Sequence, residues 1–245
     1  MAGRGAAGER FLVWGAGGHG KVVADVVRAL GHELVGYVDA DESKVGRVVE
    51  PGGGRVVLAE AALGDAAARA GAYPLGADAV ALAVGDNARR QRCLTVLGGL
   101  RVPPLVHPSA VCSPSARLGR GAVVLPRAVV NADARVGAGA VVNSGAVVEH
   151  DCHLDDAVHV SPGAVLAGGV RVGERSWIGA GAVVIQHVTI GRDVTIGAGA
   201  VIIRDVIDGV TMVGNPGRTL DYVARRGGVG GDDARRGAAG EDAID

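Results

Sequence analysis

Aromatic residues are nearly absent from this chain: Phe, Trp and Tyr together make up 2% of 245 residues. Proteins that bind single-stranded nucleic acid stack bases on aromatic side chains, so the shortage argues against that class. A charge of one sign is missing too. Lys and Arg number 25 against 26 Asp and Glu, a formal net charge of −1, so no overall field draws in DNA, RNA or an anionic membrane. No apolar run reaches the roughly 20 residues of a membrane-spanning helix, and the opening MAGRGAAGERF lacks the apolar stretch of a signal peptide. Cysteine is scarce: Cys93, Cys112 and Cys152 have no metal-ligand spacing and cannot all pair with one another. They suit reduced thiols. These absences lead us to expect a cytoplasmic protein with no nucleic-acid partner, no membrane insertion and no metal.

What is present is small and aliphatic. Apolar residues make up 48% of the chain, mostly Val, Ala, Leu and Ile, and 42 glycines exceed the usual share of about 7%. Stepping by six from Val106 to Ile202 meets seventeen successive positions that are all aliphatic apart from Cys112. Two residues before each, from Ala116 onward, stands Ala, Val, Ser or Cys. A helix needs apolar residues at i, i+3, i+4 and i+7, and a flat strand needs strict alternation; a period of six fits neither. It fits a parallel β-helix with one short face and one corner per hexapeptide, the aliphatic residue pointing inward. Three hexapeptides make a coil of 18 residues, and coils stack at about 4.8 Å.

The N-terminal third follows a different rule. Phe11–Trp14 reads as a strand, Gly18–Leu30 as a helix with Gly31 just past its end, and Leu34–Val38 as a second strand. Leu58–Ala70 reads as helical, Ala79–Val84 as a buried strand, and Asn87–Leu97 as a helix capped by Asp86 or Asn87. Alternating strands and helices predict a small Rossmann-like parallel sheet, with Pro103-Pro104 marking the join to the β-helix. The expected fold is therefore an α/β domain over residues 11–102 and an all-β left-handed parallel β-helix over 103–220. Residues 1–10 and 221–245 are expected to be disordered.

Gly15, Gly17 and Gly20 satisfy G-x-G-x-x-G between the first strand and helix, and Asp39 follows at the end of the second strand. Such a turn aims free N–H groups and the positive end of a helix at an anion. His19 and Lys21 in the first turn, with no acidic residue, favour a bound phosphate over a turn that is merely tight. A full dinucleotide domain needs two mononucleotide halves and about six strands; the chain has room for one half plus an extra unit. A substrate carrying a nucleotide diphosphate is the stronger reading, with Asp39 either meeting its ribose or base or simply solvated.

Polar residues interrupt the repeats most densely in NSGAVVEHDCHLDDAVHVSPGAVLAGG, residues 143–169. His150 falls two residues after the inward Val148, at a corner, and Gly168 follows it by one coil. Acyl transfer needs a base for the nucleophile's proton and a donor for the oxyanion. Histidine suits the first task, with Asp151 or Glu149 to orient it, and an amide near Gly168 suits the second. His153 and His187 read as solvated surface residues.

The order of the G-A-G-G-H-G-K turn, the V-D-A-D strand end, the L-V-H-P-S-A segment and the V-V-E-H-D-C repeat resembles the bacterial sugar acetyltransferases that carry an N-terminal nucleotide-sugar-binding domain. These include the UDP-4-amino-sugar N-acetyltransferases and relatives assigned to sialic acid O-acetylation. The resemblance implies a homotrimer with acetyl-CoA, as co-substrate, held between neighbouring β-helices. It implies His150 as general base with Asp151 orienting it, Asn143 near the acceptor, and His159 and the Gly168 amide near the thioester. Ala180 and Ala198 would border the CoA chain, Gly15, Gly17, Gly18, His19, Gly20 and Lys21 would hold the diphosphate, and Asp39 the uridine. The GNPGRTL segment (214–220) resembles the turn that closes the last coil and contacts CoA in that family.

Three other readings remain open on sequence alone. O-acetylation of a sialic acid or another sugar needs the same base. Zinc hydration chemistry, known for some β-helices, would draw on His150, His153 and His159, whose offsets put them on different faces or heights. A non-catalytic β-helix leaves the cluster around His150 unexplained.

Overall fold

The computed structural model describes residues 8–51, 53–68 and 73–220. The expected tail at 221–245 lies outside them, as do residues 1–7. Residues 8–10, expected to be disordered, belong to the fold instead. The Gly8 N–H donates to the Gly31 carbonyl at 3.1 Å and the Glu33 N–H to the Glu9 carbonyl at 2.8 Å. Extending the first strand in this way pairs backbone groups next to the sheet that would otherwise need another partner.

The first domain runs β1 (Arg10–Trp14), α1 (Gly18–Ala29), β2 (Glu33–Asp39), β3 (Val56–Ala59), α2 (Glu60–Ala68), β4 (Ala79–Leu82) and α3 (Asn87–Val96). Its parallel sheet has the order β3-β2-β1-β4. Asp86 caps α3 by accepting the Arg89 N–H at 2.6 Å. One expectation is corrected here. The segment read as a helix from Leu58 begins inside a strand, because Leu58 and Ala59 pair with Val38 and Asp39 at the sheet edge. The VVLA run passes into α2 without a turn residue, so nothing in the local sequence marks the boundary.

From Leu105 the chain is a left-handed parallel β-helix of two-residue strands, each paired with the strand 18 residues on, as in Val123↔Val141 and Val141↔His159. Inward Val, Leu and Ile alternate with Ala, Cys or Val to form one continuous buried column. At the second corner position the backbone N–H has no place in the ladder, which is why Pro108, Pro114, Pro126 and Pro162 are tolerated there. After Ile202 the period breaks: Thr211 pairs with Thr195 only 16 residues earlier. An antiparallel pairing of Thr211–Val213 with Arg218–Thr219 then closes the top.

The three faces differ in what they turn outward. One presents Leu105, Val123, Val141, His159, Trp177 and Thr195; another presents only valines, Val111, Val129, Val147, Val165, Val183 and Val201; the third presents Arg117, Arg135, His153, Arg171 and Thr189. The first domain sits on the first face, where Leu105, Val123 and Val141 join Phe11, Val13 and Val23 in one buried cluster. Among the described residues no helix is long and apolar enough to cross a membrane.

A buried cation joins this apolar packing in holding the domains together. Arg90, on α3, is fully buried. Its five N–H groups all find acceptors: the carbonyls of Gly139, Val84, Gly85 and Ala157 and the side-chain oxygen of Asn87, at 2.6–3.0 Å. Gly139 and Ala157 belong to the β-helix. Asn87 Nδ2 donates onward to the carbonyls of Arg175 and Ser176. Burial lowers the Arg90 pKa to about 10, with Asp86 opposing the shift, so the guanidinium is charged at neutral pH. Arg90→Ala strands several buried carbonyls, each costing about 1–3 kcal/mol. We expect at least about 3 kcal/mol of lost stability by denaturant titration, against less than about 0.5 kcal/mol for Arg117→Ala on the exposed face.

Candidate active site

The glycine turn divides its work. Gly15 has φ +126°, and a Cβ there would collide with the Ala83 carbonyl; one on Gly20 would collide with the carbonyl of Gly15. These two glycines let strand, helix and neighbouring strand close on each other. Gly17 and Gly18 have nothing within 4 Å of a built Cβ, so they are the open part of the turn. α1 starts at the Gly17 cap with no side-chain cap and no acidic residue in its first turn, leaving its first N–H groups for a ligand.

A cavity of about 240 Å³ covers this end, lined by Ala16, Gly17, Gly18, Lys21, Lys44 and Arg47 together with three valines. Lys44 and Arg47 were not singled out in the sequence, where they belong to no motif. Only the ESKVGR loop between β2 and β3 brings them beside Lys21. Asp39 is turned toward the turn itself: its carboxylate accepts the N–H groups of Ala16 and Asp41 and pairs with Lys44 at 3.0 Å. Partial burial raises its pKa, but the Asp41 amide and Lys44 outweigh it and hold the carboxyl below its ordinary value. Asp39 thus ties the glycine turn to Lys44.

His19 leaves the turn in the opposite direction from Lys21. Its ring centre lies 6.2 Å from that of His159 on the β-helix. Burial, then nearby Arg90, lowers its pKa to about 4, so it is neutral and adds no positive charge to the cation-lined cavity. His159 is 6% exposed, and its pKa falls to about 3 through burial, then Arg90 and His19. Asn143 Oδ1 accepts the Ser144 N–H at 2.8 Å, which turns Nδ2 toward His159 Nε2 at 3.0 Å. His159 therefore accepts at Nε2 and carries its proton on Nδ1. The Trp177 ring, which the sequence reading passed over, packs 4.4 Å away at 30°.

His150 stands at a different corner. Its Nδ1 bonds Asp151 Oδ2 at 2.8 Å, and this hydrogen bond raises its pKa from the ordinary value. Asp151 sits at the corner with its backbone at φ +59°. A Cβ built on Gly168 would lie 2.6 Å from both Cε1 and Nε2 of His150, so the expected stacking one coil up is present and only glycine leaves the ring in place. Among the described residues the N–H groups of Gly168, Ala180 and Ala198, all second corner positions, make no hydrogen bond within the chain. Glu149, the other carboxylate beside the histidine, accepts the His150 backbone N–H at 3.3 Å instead.

Within one chain these groups do not converge. His150, Asp151 and Gly168 lie along one edge of the all-valine face; Asn143, Ala180 and Ala198 lie along the other, next to His159 and the glycine turn. A larger cavity of about 460 Å³ opens on the arginine face, lined by His153, Asp155, Arg171, Arg192 and others, and it holds none of the expected site residues. His153 pairs there with Asp155 at 3.1 Å. Among the described residues no cluster of three or more His, Cys, Asp or Glu side chains is placed to hold a metal ion.

A carboxylate-tethered imidazole on a β-helix, beside open amides, is equipped for direct acyl transfer, and the fold and this corner together define a hexapeptide-repeat acyltransferase. Residues 10–97 match the PglD N-terminal domain and residues 169–204 the bacterial transferase hexapeptide repeats. The acetyltransferase domain of PglB from Neisseria gonorrhoeae is 42% identical, with a TM-score of 0.77 over 86% of this chain and 100% of that one; it has also been solved with acetyl coenzyme A. Perosamine N-acetyltransferase from Caulobacter crescentus is 40% identical, with a TM-score of 0.76 over 88% and 98% of the two chains, and was solved as a histidine variant with CoA and GDP-perosamine. No curated protein sequence matches. The chain belongs to the family of hexapeptide-repeat acetyltransferases that carry a PglD N-terminal domain.

The two neutral histidines give stability a defined pH dependence. Their folded pKa values, about 4 and about 3, lie below the ordinary 6.5. The unfolded chain therefore takes up protons first, and stability falls as pH drops from about 6.5 toward 4. His150 has the opposite sign. Denaturant midpoints measured across this window should decline in the wild type and decline less steeply in His159→Asn, with His150 common to both proteins.

Proposed function

We propose that this acyltransferase moves the acetyl group of acetyl-CoA to the amine of a nucleotide-linked amino sugar, in active sites formed between subunits of a homotrimer. The observation that carries the reading is the 2.8 Å contact between His150 Nδ1 and Asp151, seated against Gly168. With Nδ1–H held by the carboxylate, Nε2 is left as the basic nitrogen. The sugar amine attacks the thioester carbonyl, Nε2 accepts the proton lost from the amine, and the C–S bond breaks to release CoA as the amide forms. The free amide of Gly168 is a donor for the developing oxyanion. Neither Cys112 nor Cys152 is placed as a nucleophile, since Cys152 is buried in the core of the repeat and Cys112 packs against it.

The cation-lined N-terminus of α1 supplies binding energy far from the reacting amine, which orients it. The relatives' complexes with acetyl coenzyme A and with CoA and GDP-perosamine support both co-substrates. Three copies packed through the all-valine faces would bury an otherwise open apolar column. They would also bring the His150 edge of one subunit to the Asn143 edge of the next, completing a site that one chain leaves in two halves. We place the reaction in the cytoplasm, where both co-substrates are made and where free thiols such as Cys93 persist.

Thiol release from acetyl-CoA with UDP-, GDP- and dTDP-linked amino sugars tests the reaction. His150→Ala should lower kcat/KM at least 100-fold. Because Asp151 raises the pKa of His150, kcat/KM should climb with pH through a value above 6.5, and Asp151→Asn should move that limb to lower pH while reducing the plateau. Val147→Asp should turn the trimer into a folded monomer by light scattering, with turnover at least 100-fold lower. An active monomer would contradict the shared site.

A further inference from the structure

We infer that Trp177 is the floor of the sugar subsite and takes the C–H face of the pyranose whose amine is acetylated. This inference rests on the sugar-nucleotide reading above. Trp177 follows His159 in the outward column of the first face, one coil or about 4.8 Å further along the axis. Below that point the column is covered by the first domain: Leu105, Val123 and Val141 are 1–3% exposed and His159 6%. Trp177, at 37%, is the first position beyond the domain's edge. In a chain with 2% aromatic residues, and with Trp14 fully buried, a large open indole at this spot is distinctive.

The path of the sugar follows from what flanks it. A diphosphate on Gly17 and Gly18, at the edge of the cation-lined cavity, would have its sugar run along the turn that carries His19. His19 and His159 fill the space beneath that route, and the His159 ring packs on Trp177 at 4.4 Å. The next open surface is the indole. An aromatic face offers a sugar ring broad apolar contact without charge, and the indole N–H, which has no acceptor among the described residues, is left for a sugar oxygen.

The surroundings also select by charge. Arg90 commits all five N–H groups within the fold. Arg175, next to the Trp177 strand, is engaged by Asp193, Glu174 and Gln91. Beside Trp177, His159 is neutral, as is its neighbour His19. The subsite therefore suits a pyranose with no charge besides its amine and with an uninterrupted C–H face; a sugar carboxylate finds no counter-ion here. Trp177 touches substrate away from the reacting atoms, so its effect falls on sugar binding.

The test compares wild type, Trp177→Ala and Trp177→Phe with acetyl-CoA and whichever of GDP-perosamine or a UDP-linked 4-amino sugar the wild type turns over. Trp177→Ala should raise the KM for the sugar nucleotide about tenfold, with the KM for acetyl-CoA and the inhibition constant of bare GDP or UDP unchanged. Trp177→Phe should recover most of the loss. By intrinsic fluorescence, the sugar nucleotide should shift wild-type emission, bare GDP or UDP should not, and Trp177→Phe should lose the shift. Equal weakening of bare nucleotide and sugar nucleotide, or an unchanged sugar KM in Trp177→Ala, overturns the inference while the acetyltransferase reading stands. Failure of the wild type to turn over any sugar nucleotide overturns both.

Discussion

Every feature of the β-helix site depends on one geometric requirement: each coil must return to the same place after 18 residues so that its backbone can pair with the coil below. The requirement is met by inward aliphatic residues alternating with small ones, because a larger side chain at the small position would not fit the corner. Once the return is fixed, residues far apart in sequence meet without any contact specific to them. Gly168 comes to lie over His150 and Trp177 beside His159. Where the return fails, after Ile202, a coil two residues short and an antiparallel pairing end the stack.

The same constraint leaves three outer faces free to differ. One bears the N-terminal domain, one is valine throughout, and one is largely arginine. The domain is held by apolar packing around Val123 and Val141 and by the buried Arg90. A guanidinium without a carboxylate partner is expensive to bury, and here all five donors are matched to oxygen acceptors in fixed positions. That arrangement confers little adaptability and much specificity. It sets α3, and through the sheet the glycine turn, at one height along the β-helix, so that His19 meets His159.

The chemistry in the two halves of the site is kept apart by environment. Lys21, Lys44 and Arg47 form a partly open cationic cavity. The histidines beneath the turn are desolvated and neutral. His150, with its side chain 59% exposed, is pushed the other way by the Asp151 carboxylate. The result is an imidazole of raised pKa in water-accessible surroundings at one edge and an uncharged packing surface at the other.

Much of this was determined by the sequence alone. The period of six specifies the β-helix because no other regular structure places one apolar residue inside every six. It also makes the His150–Gly168 neighbourhood a matter of counting. The glycine turn is equally legible, since its glycines and its lack of acidic residues are local properties. The strand at Val56–Ala59 was hidden because it has no local end and exists through pairing with β2. Lys44 and Arg47 were hidden because a loop's side chains gain meaning only from what the loop folds against. Asp39 was visible, but its partners were not. The divergence of His19 from Lys21, the neutrality of His159 and the openness of Trp177 were decided by the docking of one domain on the other. That contact joins residues far apart in sequence, such as Arg90 and Gly139 at 49 positions, and its desolvation and packing have no local signature in the chain.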